Sequence, residues 1–327
     1  MLKDKLKRVS IAHLPTPLEH LPRLTAQLGG PELWIKRDDQ TGLATGGNKA
    51  RKLEFLVADA QAAGADTLIT GGAAQSNHSR QTAAAAAKCG LACTLALRGS
   101  EPPRMQGNLL LDRLLGAEVV WGEDAPLSEV MEQAAEDLQR EGRHPYIIPY
   151  GGSNSVGASG YVAAMEELLT QCAERDLYFD HIVLPSSSGG TQAGLAVGAR
   201  KLRYEGRLLG ISIDLEAEDL RRRLADLATA TADCLEMEFS FAPHDFAVED
   251  GYRGGGYGIV SDLEREAIRT MACAEGVLLD PVYTGRAFGG LLDLIRRGTF
   301  GERERVLFWH TGGTTGLFGY GEDALPS

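Results

Sequence analysis

"LPSSSGGTQAGLAVG", Leu184 to Gly198, reads as a buried strand running into a Ser/Gly turn and then into a helix that starts near Thr191. Strand, glycine turn and helix in that order is the unit from which parallel α/β sheets are built. Free amides at such a helix start, with the hydroxyls of Ser188 and Thr191 beside them, make a cradle for an anion. A plain strand-to-helix turn with a serine or threonine N-cap accounts for the stretch about equally well. No GK[ST] follows, and the G-x-G-x-x-G spacing of a dinucleotide site is missing. A phosphate carried by something other than a nucleoside fits better.

The same alternation runs along the chain in both directions. "ELWIKRD" (32–38), "DTLIT" (66–70), "ACTLAL" (92–97), "AEVVW" (117–121), "YIIPY" (146–150), "HIVLPSS" (181–187), "RLLGISID" (207–214) and "RVLFWH" (305–310) read as strands, with amphipathic helices between them. Such crossovers imply parallel sheets covered on both faces. At 327 residues the chain exceeds one ordinary core, and no low-complexity linker divides it. Two interleaved lobes follow, with "DDQTGLATGG" (38–47) leading into an inserted lobe and "YGGSNSVGASG" (150–160) leading out. The expected division is a large domain of residues 1–48 and 158–327, and a small inserted α/β domain of 49–157.

The formal charge of −12 argues against nucleic acid or an anionic membrane as the main partner. Five scattered cysteines form neither a disulfide framework nor a zinc motif, so no metal is expected. "MLKDKLKRVS" lacks the apolar run of a secretory leader, which makes the reducing cytoplasm the expected location.

"TGLATGGNKARKLEFL", Thr41 to Leu56, delivers Lys49 behind a glycine pair to a helix start, where the dipole disfavours a cation. A lysine held among apolar walls has a lowered pKa and so a neutral, nucleophilic amine. Lys52, one helical turn on, points the same way and is placed to neutralise phosphate. Ser76, Asn77 and His78 open another helix after a glycine turn. Either they cap it or they dock a substrate carboxylate, and for His78 alone a structural role is the better reading. Tyr257 in "GGGYG" and Tyr283 in "DPVYTGRA" stand in irregular segments, where tyrosines ordinarily pack a ring. Taken together, a lysine at the cleft, a non-nucleotide phosphate cradle and several hydroxyl donors describe a site for pyridoxal 5′-phosphate.

"GGNKARKLEF", "QSNHSRQTAAAAA", "SSSGGTQAGLAVG", "YGIVS", "LLDPVYTGRA" and "HTGGTTGLFGY" resemble, in order, the 1-aminocyclopropane-1-carboxylate deaminase/D-cysteine desulfhydrase family. The resemblance extends from Leu14 onward and implies the tryptophan-synthase-β-like fold (fold type II), an α/β fold with two parallel-sheet three-layer domains and the active site in the cleft. It implies that Lys49 carries the cofactor, that Asn77 meets the pyridoxal hydroxyl, and that Lys52 with Ser188, Gly189, Gly190 and Thr191 holds the phosphate. Ser76, Asn77, His78 and Thr314 would bind substrate, with Ser76, Tyr257 and Tyr283 beside the reacting carbons and Thr284 at the pyridine nitrogen. A homodimer is expected on the same ground.

The deaminases of this family carry glutamate where Thr284 stands, and the desulfhydrase-like members carry threonine. A hydroxyl makes the ring a weaker electron sink, which suits elimination of a β-substituent better than opening of a cyclopropane. The activity implied is release of sulfide, pyruvate and ammonia from D-cysteine. L-cysteate sulfo-lyase is the alternative, because Thr314-Thr315-Gly316 replaces the usual proline and alanine and adds hydroxyls for a sulfonate. Cyclopropane opening, or a protein that binds the cofactor without catalysis, ranks lower.

Overall fold

The strands of the computed structural model, which describes residues 6–325, sort into two sheets. The first five residues, on which the leader reading partly rests, lie outside the described residues. In chain order the elements are β1 (Leu18–His20), α1 (Pro22–Leu28), β2 (Glu32–Arg37), α2 (Lys49–Ala62), β3 (Thr67–Gly72), α3 (Asn77–Cys89) and β4 (Ala92–Leu97). Then come α4 (Gly107–Leu114), β5 (Glu118–Trp121), α5 (Leu127–Arg140), β6 (Pro145–Ile147), α6 (Ser155–Glu174), β7 (His181–Ser186) and α7 (Gly190–Lys201). The described chain closes with β8 (Arg207–Ser212), α8 (Ala217–Cys234), β9 (Ala247–Glu249), α9 (Asp262–Glu275), α10 (Thr284–Arg296), β10 (Arg305–His310) and α11 (Thr315–Tyr320).

The larger sheet has the order β1-β2-β10-β7-β8-β9 and the smaller β5-β4-β3-β6. All pairs are parallel except β1 with β2 at the edge, a short antiparallel strand that has no counterpart among the expected elements. Central strands are buried on both faces, which is why "HIVLPS" and "RVLFWH" read as almost unbroken apolar runs. Phe308 of β10 lies opposite Ile35 on one side and Val183 on the other, and all three are at most 1% exposed.

One helix starts earlier than its sequence suggests. The segment 150–160 is expected to lead out of the inserted lobe into a helix from Gly160, yet α6 begins at Ser155, where the Asn154 side chain accepts from Gly157 N at 2.9 Å. The boundary expected at 157–158 therefore falls inside a helix. Gly160 is there for contact: a Cβ on it would stand 2.3 Å from the Arg51 carbonyl oxygen on α2. Gly194 of α7 is equally close to α6, 2.2 Å from the Ala158 oxygen. Small residues let α2, α6 and α7 stack backbone to backbone.

A buried charge network joins this stack to the larger sheet. Arg51 donates to Asp38 Oδ1 and Oδ2 at 2.8 and 2.9 Å and to both oxygens of Glu167 at 2.8 and 2.9 Å. Asp38 also accepts from Tyr161 (2.6 Å), Trp309 (2.8 Å) and Thr16 (2.9 Å), while Lys36 meets Glu167 at 2.5 Å. Asp38 is fully buried, and the Arg51 and Lys36 charges beside it hold its carboxyl below the usual range against the opposing effect of burial.

Asp112 on α4 is the opposite case. It is fully buried, neither oxygen has a hydrogen-bond partner among the described residues, and burial pushes its carboxyl up to about 7.

Two outcomes follow from this packing. Gly160→Ala should lower stability by about 1–3 kcal/mol in urea unfolding, since a methyl group must force α6 off α2. Unfolded Asp112 ionises near pH ~4. Between that value and the folded pKa of about 7 the unfolded state binds fewer protons, so stability falls as pH rises through this interval and levels off above it. Asp112→Asn should remove that decline and be the more stable protein at pH 8, as read from urea midpoints at the two ends of the range.

Candidate active site

The carboxyl ends of β3, β7 and β10 and the amino ends of α2, α3 and α7 meet at a cavity of about 600 Å³, counted with its open mouth. Lys49, Ser76, Asn77, His78, Ser188, Gly189, Thr191 and Tyr283 line it, as do Tyr150 and Thr311. Lys49 opens α2 because two glycine pairs touch there. Gly312, at φ +87°, would place a Cβ 2.6 Å from Gly47 Cα, so only bare backbone lets β10 end against the start of α2. Asn48 N donates to Thr311 O at 2.9 Å and seals the contact.

Burial lowers the Lys49 pKa from 10.5 to about 8, with a smaller opposing effect from hydrogen bonding to Lys52. Lys52 is fully buried and is driven well below its ordinary value by burial and then by Lys49. Among the described residues no carboxylate pairs with either lysine. Lys52 Nζ instead donates to Gly151 O (3.1 Å) and Ser153 Oγ (3.0 Å). Ser153 Oγ in turn meets Ser188 Oγ (2.8 Å) and accepts from Gly190 N (3.2 Å). A Cβ on Gly190 would come within 2.6 Å of that hydroxyl and 2.7 Å of the Lys52 ammonium, so glycine is required for the turn to close on them. A buried lysine amine, a helix amino end and three hydroxyls converge on one spot, which is the donor set for a phosphate dianion. The buried Ser186 Oγ on the same wall has no partner among the described residues. The residues present fit a phosphorylated, carbonyl-bearing cofactor.

On the facing wall Ser76 caps α3, accepting from Ser79 N at 3.1 Å, so its hydroxyl serves the helix while it lines the cavity. Asn108 of α4 donates to Asn77 Oδ1 at 2.9 Å and leaves the Asn77 amide nitrogen on the side of Gly313. The Thr70 hydroxyl donates to Ile148 O (2.8 Å) and so accepts from His78 Nε2 (2.9 Å), which fixes the tautomer. Burial, followed by the two lysine charges, drives the His78 pKa well below its ordinary value and keeps the ring neutral.

Tyr257 and Tyr283 join their hydroxyls at 2.6 Å. Burial raises both pKa values, so both stay protonated. Arg286, fully buried and paired with Glu264 at 2.6 Å, holds the Tyr257 loop by donating to Gly256 O (3.0 Å) and Ile259 O (2.7 Å). Asp280 anchors Tyr283 by accepting from the amides of Val282, Tyr283 and Thr284 at 2.7–3.0 Å.

Thr284, expected at a ring nitrogen, does not line the cavity. Its hydroxyl donates to Asp280 Oδ1 at 2.7 Å and accepts from Asp280 N at 2.8 Å, so its proton is already engaged. Thr314 is likewise off the wall, and the neighbouring Thr315 hydroxyl is taken by Arg80 (2.7 Å) and Thr45 (2.7 Å). Lys52, Gly190 and Tyr257 stand one layer behind the lining, each in contact with a lining residue. The groups that sequence reasoning missed are Thr311, Tyr150, Ser153, Asp280 and Arg286. For Thr311 a signal existed, since it lies beside the glycine pair that ends a buried strand.

A family model described as pyridoxal-phosphate dependent enzyme matches residues 9–312. A putative 1-aminocyclopropane-1-carboxylate (ACC) deaminase of Pyrococcus horikoshii is 43% identical over 327 residues, covering 99% of this chain and 97% of the relative. A D-cysteine desulfhydrase of Klebsiella pneumoniae is 44% identical over 322 residues, covering 97% of both. The crystal structure of an ACC deaminase homologue superposes with a TM-score of 0.91 at 42% identity, over 99% of this chain and 97% of that one. Threonine deaminase isoform 2 of Solanum lycopersicum shares the fold, with a TM-score of 0.65 at 15% identity over 92% and 80% of the two chains.

The depressed Lys49 pKa can be read directly. Its amine is neutral above about pH 8 and protonated below, so reaction of the cofactor-free protein with an amine-directed acylating reagent should rise through pH 8. An ordinary lysine would still be climbing near its value of 10.5. The phase belonging to Lys49 should vanish in Lys49→Ala, with the acylated residue located by mass spectrometry so that Lys52, also depressed, is read apart.

Proposed function

The chain belongs to the pyridoxal-phosphate dependent enzyme family, and on that premise we propose that it is a carbon–sulfur lyase. Its substrate is a small β-substituted amino acid, D-cysteine foremost, which it converts to pyruvate, ammonia and hydrogen sulfide. One observation carries the choice of elimination: among the described residues no carboxylate lines the cavity. The polar side chains on the wall at the end of β10 and the start of α10 are the Thr311 and Tyr283 hydroxyls. Hydroxyls do not hold a pyridine nitrogen protonated as a carboxylate does. A reaction whose β-substituent departs with the electron pair needs no stronger sink, whereas opening a cyclopropane ring does.

The cofactor supplies, when bound, a conjugated ring that withdraws electrons from the substrate's nitrogen and makes its Cα–H acidic. Everything else falls to side chains. The cradle of Ser188, Gly189, Gly190 and Thr191, backed by Lys52 and Ser153, binds the phosphate and brings its charge to two otherwise unneutralised lysines. Asn77, positioned by Asn108, presents an amide to the pyridoxal hydroxyl. The Asn77 and His78 amides at the amino end of α3 receive the substrate carboxylate. Lys49, neutral above about pH 8, takes the Cα proton. Tyr283 and Tyr257, both protonated, donate toward the departing β-substituent, and their shared hydrogen bond lets one re-protonate the other.

A second reading, ACC deamination, has in its favour the 43% identity to a relative named as a putative ACC deaminase and the superposition on an ACC deaminase homologue. The L-cysteate alternative loses the support drawn from the extra threonines, since the Thr315 hydroxyl is engaged with Arg80 and Thr45 and Thr314 stands off the wall.

Side-by-side assay of the holoenzyme decides among them. D-cysteine should give pyruvate and sulfide, L-cysteate little of either pyruvate or sulfite, and ACC no 2-oxobutanoate. Pyruvate from no sulfur amino acid, or 2-oxobutanoate as the main product, would remove the proposal. Lys49→Ala and Lys49→Arg should both lower turnover by several orders of magnitude, since neither offers a neutral amine.

A further inference from the structure

We propose that Tyr150 is the specificity-determining residue of this site: its ring forms the partition that limits the length of the β-substituent. The inference rests on the lyase reading for the reaction but on the cavity's own shape for the selection.

Tyr150 follows β6 and opens a 3-10 turn at 150–152. Gly151 and Gly152 behind it have φ of +67° and +60°, and a Cβ on Gly151 would lie 2.4 Å from Ser188 Oγ. The turn is also tied down by Lys52 Nζ on Gly151 O. This residue is therefore held by the backbone and by the cradle, and its side chain is not a loose surface ring.

Two separate spaces share it. Inside, Tyr150 lines the cavity with Lys49, Ser188 and Tyr283. Outside, it walls an open groove with Ser153, Ser188, Arg223 and Leu227. The residue is 36% exposed, and its side chain interacts with those of Tyr257 and Tyr283. Tyr257 and Tyr283 are carried by loops of the larger sheet, whereas Tyr150 sits on the chain returning from the smaller one. Three tyrosines from both sides of the cleft thus meet at the cavity, and Tyr150, beside Ser188, stands between it and the groove. A short β-substituent ends under these tyrosines. A longer one meets the ring.

The test uses holoenzyme of the wild type, Tyr150→Phe, Tyr150→Leu and Tyr150→Ala, with bound cofactor and melting temperature checked for each. One arm measures kcat/KM for cysteine and its S-methyl, S-ethyl and S-propyl derivatives. The other titrates the cofactor absorbance with alanine, 2-aminobutyrate, norvaline and norleucine, which carry no leaving group, in both enantiomers. Tyr150→Ala should shift preference toward the longer members by about tenfold or more, the effect of a methylene or two in an apolar pocket. Tyr150→Leu should fall between, and Tyr150→Phe, which keeps the ring, should retain the wild-type length limit while losing rate. A length profile in Tyr150→Ala and Tyr150→Leu that matches the wild type overturns the proposal. Should the wild type eliminate none of the sulfur compounds, the lyase reading fails on its own, and the absorbance arm still reads the length limit.

Discussion

The site depends on one guanidinium. Arg51 sits two residues after Lys49 and one before Lys52, and its bonds to Asp38 and Glu167 fix how far α2 advances and which way it is turned. A buried ion pair of this kind is weak as a source of net stability, because desolvation offsets most of the attraction. Its value is geometric. Asp38 is held in turn by Thr16, by Tyr161 of α6 and by Trp309 of β10, so it cannot follow a rotation of α2, which would break the bonds of Arg51 together. The two lysines then emerge at fixed positions, one facing the cavity and the other the cradle.

Charge is arranged in the reverse way at the cavity itself. The Arg51 network is fully matched, whereas Lys49 and Lys52 have no carboxylate among the described residues, and His78 is kept neutral beside them. The imbalance disfavours extra cations and favours a dianion, which is how a chain of net charge −12 still offers a local phosphate site. Backbone completes the selectivity. Where Gly190 faces Lys52 and where Gly312 faces Gly47, a single methyl group would collide, so the cradle and the lysine wall close only because side chains are missing there.

How legible this was in the sequence follows from how local each signal is. Strand, glycine turn and helix are contiguous, so the two-sheet α/β fold, Lys49 and the turn from Ser188 to Thr191 could be read along the chain. The start of α6 could not, because Gly157 and Gly160 are spaced like turn residues while their reason includes contact with Leu56 and Arg51 of α2, far away in sequence. The surroundings of Thr284 were hidden for a related reason. Its place after Tyr283 suggests a ligand, but its proton goes to Asp280, four residues back, a bond that nothing in composition or periodicity announces. Tyr150 escaped notice because what distinguishes it is which two spaces it divides.

The strand order also constrains how the molecule can come into being. β10 lies between β2 and β7, although more than a hundred residues separate it from either. On a ribosome the smaller sheet, whose strands all fall within residues 67–147, is complete while the larger one still has a gap at its centre. Until β10 arrives, Ile35 and Val183 flank an open slot, Asp38 lacks Trp309, and Lys49 has no wall behind it. Long-range closure of this sort is slow and leaves sheet edges exposed meanwhile. The wall formed by Thr311 and Gly312 is therefore the last part of the binding site to form, and its completion coincides with the closing step of folding.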